Sequence, residues 1–244
     1  MRITGDFLLG RGRGAMTQAE QDVLEAAVDR VETLPTRTIV IRRGERVRQS
    51  ILLLDGAVCR YMDARDGYRQ LVAFQVPGDF VDLHGYPLGA LDHDVATLAP
   101  SRIAMVPHAR LDAIVAEHPR LARILWRSTL LDAALHREWI FRLGRLNAIG
   151  RVAHFLCETS ARMAAVGRVT DGAFALPLTQ QDLGEACGLT SVHVNRTLRR
   201  LREDGLADVA NGRAVIHDAV RLAHVAEFDP DYLYLERGPW DALA

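Results

Sequence analysis

Residues 179–201 read Thr-Gln-Gln-Asp-Leu-Gly-Glu-Ala-Cys-Gly-Leu-Thr-Ser-Val-His-Val-Asn-Arg-Thr-Leu-Arg-Arg-Leu, and no other stretch of the chain restricts its fold as tightly. Thr179 is placed to cap a short helix carrying Leu183 and Ala186. Gly188 supplies a tight turn, and Thr190 caps a second helix. Two helices at this spacing form a helix-turn-helix. In the second, Val194, Leu198 and Leu201 make an inward stripe, which leaves Ser191, Val192, Asn195, Arg196 and Arg199 facing outward. Residues 190–202 contain four Arg and no acid, so Thr190 and Arg200 join the outward residues as candidates for meeting phosphates and base edges of double-stranded DNA. Directly after come two short strands joined through Asn211-Gly212, the pair favoured by a type I′ hairpin turn. That hairpin is a wing, with Arg213 placed to touch backbone phosphate.

Upstream the periodicity is different. Residues 37–107 hold short β-rich runs at 38–41, 50–54, 57–62, 69–76 and 101–106. Turn signals separate them at Gly44, Asp55-Gly56, Asp66-Gly67 and Pro77-Gly78-Asp79, the pattern of an antiparallel barrel or roll. Ahead of them Thr17 and Glu20 form a capping box that opens a helix expected to reach about Val31. Residues 1–16 are rich in Gly and Arg without periodicity, and are expected to be a flexible arm. After His108 the period becomes helical, with a short helix and then a long one from Pro119. The long helix is apolar on more than one side: Leu121, Leu125, Leu131, Leu135 and Trp139 mark one face, and Ile124, Leu130, Ala134 and Phe141 another. Such a helix needs two surfaces to bury against, its own roll and a second subunit. The expected layout is α+β. It has an arm (1–16), an antiparallel β-roll sensor (17–118), a long dimerisation helix with a hinge (119–146), and a C-terminal winged helix-turn-helix with its tail (147–244).

The formal net charge of −1 means that nucleic-acid binding must come from a local concentration of Arg. All thirty basic residues are Arg, which a GC-rich coding sequence explains. Cys59, Cys157 and Cys187 lack the spacing of a zinc ribbon, redox pair or iron–sulfur cluster, and suit buried thiols in a reducing cytoplasm. No window has the length of a signal peptide or membrane span, so a cytoplasmic protein with no membrane partner is expected.

The turns at Gly44 and Gly56, Pro77-Gly-Asp-Phe, the long helix from Pro119, Gly150-Arg151 and the winged helix occur in the order found in the Crp–Fnr superfamily, which the chain resembles over nearly its whole length. The stretch His193-Val-Asn-Arg-Thr resembles a subgroup whose effectors are generally undefined. The resemblance implies a homodimer of cyclic-nucleotide-binding-like rolls on a pseudo-palindromic operator, with RNA polymerase as a further partner. It places Thr179, Gln181 and His193 at backbone-contacting positions, and Ser191, Val192 and Arg196 at base-reading ones. The family commonly has Glu where this chain has Val192, so cytosine recognition through that acid is not available here.

The resemblance also implies where an effector would sit. The positions that hold ribose and cyclic phosphate in cyclic-AMP-binding members fall here on Leu83 and His93, with Asp94 beside the latter. The polar pair on the long helix reads as His136 and Arg137. Cyclic AMP is therefore not expected, and no cofactor is assigned. His84 falls near the haem-ligating His of carbon-monoxide-sensing members, a haem or metal reading that rests on one residue. A small-molecule effector of another kind stays open. The alternative to a regulator is a cupin-like metal or haem protein, sensor or enzyme, built on Asp82, His84 and His93. No nucleophile beside a base and no phosphate-binding Gly loop supports catalysis, so no enzyme is expected.

Overall fold

The computed structural model describes residues 2–236; the last residues of the expected C-terminal tail, 237–244, lie outside the described residues. The chain forms two compact units. Among the described residues the first takes 2–62 together with Ala73–Ala133, and the second takes Asp63–Val72 and 134–236.

In the first unit a capping box at Thr17 and Glu20 starts α1 (Gln18–Ala26), as its sequence predicts. Then come β1 (Arg30–Leu34), β2 (Ile39–Ile41), β3 (Gln49–Asp55), β4 (Val58–Asp63), β5 (Arg69–Gln75), α2 (Gly85–Leu88), β6 (Asp94–Thr97), β7 (Ser101–Pro107) and α3 (His108–Glu117). The strands lie in two sheets ordered β1-β7-β3 and β2-β6-β4-β5. The registered pairs β1–β7, β3–β7, β2–β6 and β4–β6 are all antiparallel. Leu53, Val58, Val81, Val95 and Ile103 bury one core of this roll. A second core packs Leu52, Phe80 and Leu83 with Leu24 of α1, Leu111 of α3 and Leu121, Leu125 and Leu131 of the next helix. That helix, α4 (Pro119–Arg145), is continuous through 27 residues.

Two expectations fail here. The first helix stops at Ala26 and not near Val31, because Val31 pairs with Ala104 as part of β1. The arm expected at 1–16, described from residue 2, is not loose. Phe7 is buried edge-to-face on Phe80 at 5.3 Å, Thr4 Oγ1 donates to Glu25 at 2.8 Å, and buried Arg13 donates to the carbonyls of Thr4 and Phe7. Arg127 of α4 donates to the Arg11 carbonyl at 2.5 Å. Gly78 leaves the room this needs, since a Cβ there would stand 2.4 Å from the Asp6 carbonyl oxygen. The arm's Gly and Arg content thus reflects close backbone approach and cations that satisfy turn carbonyls.

The second unit contains α5 (Ala148–Ala165), β8 (Ala173–Ala175), α6 (Gln180–Cys187), α7 (Ser191–Glu203), β9 (Ala207–Ala210), β10 (Arg213–Ile216) and α8 (Ala219–Ala226). The sheet order is β8-β10-β9. Asn147 caps α5 through a 3.0 Å hydrogen bond from the Gly150 amide. Buried Phe155, Leu156, Leu183, Val194, Leu201 and Leu222 bring α5, α6, α7 and α8 into one core.

Candidate nucleic-acid interface and the roll interior

Local sequence sets the geometry of α6 and α7. Thr179 and Asp182 close a reciprocal capping box, with 2.8 Å from the Thr179 amide to Asp182 and 3.1 Å from the Asp182 amide back to Thr179. Gly188 ends α6 at φ 63°, and Thr190 caps α7 by accepting from the His193 amide. Val194, Leu198 and Leu201 are buried, while Ser191, Val192, His193, Asn195, Arg196, Arg199 and Arg200 are exposed. Thr179, Gln181 and Thr190 are exposed as well, at the two helix starts. In the wing, Asn211 and Gly212 both adopt positive φ, 53° and 72°, as a type I′ turn requires, and Arg213 is exposed on β10.

The exposed arginines differ in what they already hold. Arg200 pairs with Asp204 at 2.7 Å, Arg202 with Asp208 at 2.6 Å, and Arg199 more distantly with Glu203 at 3.8 Å. Among the described residues Arg196 and Arg213 have no acidic partner. Exposed pairs contribute little to stability. They do engage the guanidinium, so Arg196 is the arginine of α7 whose fork is available for a base pair.

The roll's own candidates differ in their surroundings. Leu83 is buried in the core with Leu121 and Leu125 and presents no polar group. Asp94 accepts from the Arg43 amide at 3.1 Å, anchoring the turn after β2. His93 is buried, with Nδ1 held 2.8 Å from Asp92, and its ring lies 5.3 Å from that of His84. Burial lowers the His93 pKa, against the pull of Asp92, so the ring offers no fixed positive charge for a phosphate. His136 and Arg137 fall in the second unit, Arg137 exposed and His136 partly covered. The triad of the cupin-like alternative also fails: Asp82 Oδ1 accepts from the Ile51 amide at 2.6 Å, and among the described residues no three His, Cys, Asp or Glu come together as a metal site. The ring contact brings His84 beside His93, but without a third ligand.

Arg60 of β4 was missed as a candidate. It is buried, donates Nε to the Val81 carbonyl at 2.6 Å, and pairs through Nη1 with Asp132 of α4 at 2.6 Å. Beside it Asp82 is fully buried, and desolvation raises its carboxyl to about 7 despite the Ile51 amide and the Arg60 charge. An arginine amid the apolar run of β4 was the available signal.

A β-roll followed by a long helix and a winged helix-turn-helix with an unpaired cation on its exposed helix defines a class, that of transcription regulators which couple a sensor to a DNA reader. The cyclic nucleotide-binding domain family matches residues 31–118, and the Crp-like helix-turn-helix domain family matches residues 150–225. The anaerobic regulatory protein of Pasteurella multocida (strain Pm70) is 25% identical over 211 residues, covering 86% of this chain and 77% of that protein. A probable transcriptional activator of Rhizobium leguminosarum bv. viciae is 34% identical over 159 residues, 65% of this chain and 64% of its own length. The structure of FixK2 from Bradyrhizobium japonicum superimposes with a TM-score of 0.73 at 25% identity, covering 80% of this chain and 96% of that one. The chain belongs to the Crp–Fnr superfamily and is a transcription regulator of that type. No helix among the described residues is long and apolar enough to cross a membrane.

Proposed function

We propose that the chain acts in the cytoplasm as a homodimer on a pseudo-palindromic operator, by binding and not by catalysis, with α7 in the major groove. The observation that carries this reading is the outward face of α7, where Arg196 is exposed and free of acid partners among the described residues while Val194, Leu198 and Leu201 fix the opposite face in the core. Arg196 pairs with O6 and N7 of a guanine, with Ser191 and Val192 beside it at the base edges. Thr179, Gln181, Thr190, His193, Asn195, Arg199 and Arg200 hold the flanking backbone, and Arg213 holds a phosphate from the wing.

The dimer follows from α4. Trp126, Leu130, Ala133, Arg137 and Ile140 recur at alternating steps of four and three, on the side opposite buried Leu121, Leu125, Leu135 and Trp139. Trp126 is 65% exposed and Ile140 73%, an apolar seam that a second copy would cover. Effector control enters through the roll, which shifts the population of the DNA-competent dimer by way of α4; the Arg60–Asp132 pair joins the two. RNA polymerase is the further partner by which bound operator alters transcription. Cyclic AMP is not the effector on this reading, since Leu83 is core and burial disfavours a charge on His93.

Titration of duplexes by anisotropy tests the assignment of the two cations. Arg196→Ala is expected to weaken the preferred duplex by about 1–3 kcal/mol and to flatten preference at one base pair per half-site. Arg213→Ala is expected to weaken all duplexes alike and to reduce the salt slope by about 1 per contact. Unchanged base preference in Arg196→Ala would remove that residue from the groove.

A further inference from the structure

The carboxyl end of α6 is held from three directions. An α-helix leaves its last carbonyls without intrahelical partners, and these carry the negative end of the helix dipole. The Gly184 oxygen accepts from the Gly188 and Leu189 amides within the turn. The next three carbonyls take side chains from elsewhere in the second unit. Glu185 O accepts from Gln70 Nε2 of β5 at 2.5 Å, Ala186 O from Arg142 Nη2 of α4 at 2.9 Å, and Cys187 O from Arg151 Nη1 of α5 at 3.4 Å. A Cβ on Gly188 would stand 3.3 Å from Arg151 Nη1 and 3.4 Å from Leu143, so the turn is packed closely against the same groups.

Arg142 is costly for a group serving stability alone. It is fully buried, lies over the Trp139 ring at 4.1 Å, and its Nε and Nη1 have no hydrogen-bond partner among the described residues. Glu158 is hydrogen-bonded by Arg162, Trp139 and Tyr232, and the Arg142 charge adds to that of Arg162 without bonding the carboxylate. Removing this cation alone takes one compensating charge from buried Glu158 and the donor from the Ala186 carbonyl, so some stability is lost with it. What Arg142 supplies is direction, since it fixes the end of α6, and the short turn from Gly188 to Thr190 passes that direction to α7.

We propose that Gln70, Arg142 and Arg151 are positioning residues for DNA reading, which set the recognition helix by holding the last carbonyls of α6. The inference rests on α7 being the reading helix. It assigns a role to a residue of the β4–β5 hairpin and to the far end of α4, the two sensor-derived segments that belong to the reader's unit.

The test compares wild type, Arg142→Met, Arg142→Lys and Gln70→Ala by thermal melting and by anisotropy titration on two duplexes: one selected by the wild-type protein from random sequence, and a scrambled version of it. Arg142→Met is expected to melt below the wild-type temperature while staying folded at the assay temperature, and to lose about ten-fold on the selected duplex, the weight of one base contact. Its affinity for the scrambled duplex, set by phosphate charge, should hold. Arg142→Lys, which keeps a donor for Ala186, should restore most of the ratio, and Gln70→Ala should shift it in the same direction as Arg142→Met. Equal losses on both duplexes that track a lowered melting temperature, or an unchanged ratio in Arg142→Met and Gln70→Ala, would overturn the inference while leaving α7 as the reader. Should Arg142→Met not fold, the ratio in Gln70→Ala decides alone. A wild type that prefers neither duplex would overturn the DNA-reading assignment itself.

Discussion

Asp82 shows how one buried side chain carries a condition-dependent cost. Its carboxyl is fully buried and raised to about 7 from an ordinary 3.8, by desolvation first, with the Ile51 amide and Arg60 opposing. A raised carboxylate pKa means that the folded state binds a proton the unfolded chain has lost. Stability therefore falls as pH rises between about 4 and 7, and the full cost is present above that window. Asp82→Asn keeps an oxygen for the Ile51 amide and removes the titration. The variant should gain on wild type across this window, by a total on the order of 4 kcal/mol, which denaturant melts at pH 4, 5.5 and 8 would measure. A wild-type-minus-variant difference that is flat with pH would show that folding does not raise the Asp82 carboxyl. The cysteines belong to the same scale: all three are buried and none forms a disulfide, and burial lifts the Cys187 thiol to about 11, well away from a reactive thiolate.

Among the elements, α4 separates two apolar faces that sequence alone does not rank. Leu135 is 8% exposed and packs within its own chain, whereas Leu130 is 52% exposed on the seam. Leu130→Asp should give a folded protein that sediments as a monomer at micromolar concentration, because it places charge in the seam without entering the core. Leu135→Asp should instead lower the melting temperature or prevent folding. A Leu130→Asp protein that stays dimeric would move the interface off α4. The winged helix was legible because its signals are local: caps at Thr179 and Thr190, Gly188 at the turn, a stripe at 194, 198 and 201, and Asn211-Gly212 in the wing. Short strands whose identity depends on a partner were not. Residues 30–34 become β1 only against β7, and β6 and β8 have four and three residues. Nor was the clasp on α6, where Gln70 reaches a carbonyl 115 residues away, nor the arm, whose Phe7 needs Phe80 to hold it. Those contacts follow from tertiary packing and leave no periodic trace.

At the scale of the whole molecule, Arg60 ties the roll to α4 through Asp132, and Arg142 of α4 holds the Ala186 carbonyl at the end of α6. The near-zero net charge gives the molecule no general attraction for DNA, so affinity has to come from locally placed cations, and in the proposed dimer from those of two readers. Two-fold symmetry then has to be written into the site. The most direct measurement is selection of binding sites from randomised duplexes by the intact protein, with the stoichiometry of the selected complex read by sedimentation. The account predicts enrichment of an inverted repeat, with a guanine in each half-site whose preference Arg196→Ala flattens, half-sites about one helical turn apart and two chains per duplex. Enrichment of a single unrepeated site by one chain, or no enrichment above random sequence, would contradict it.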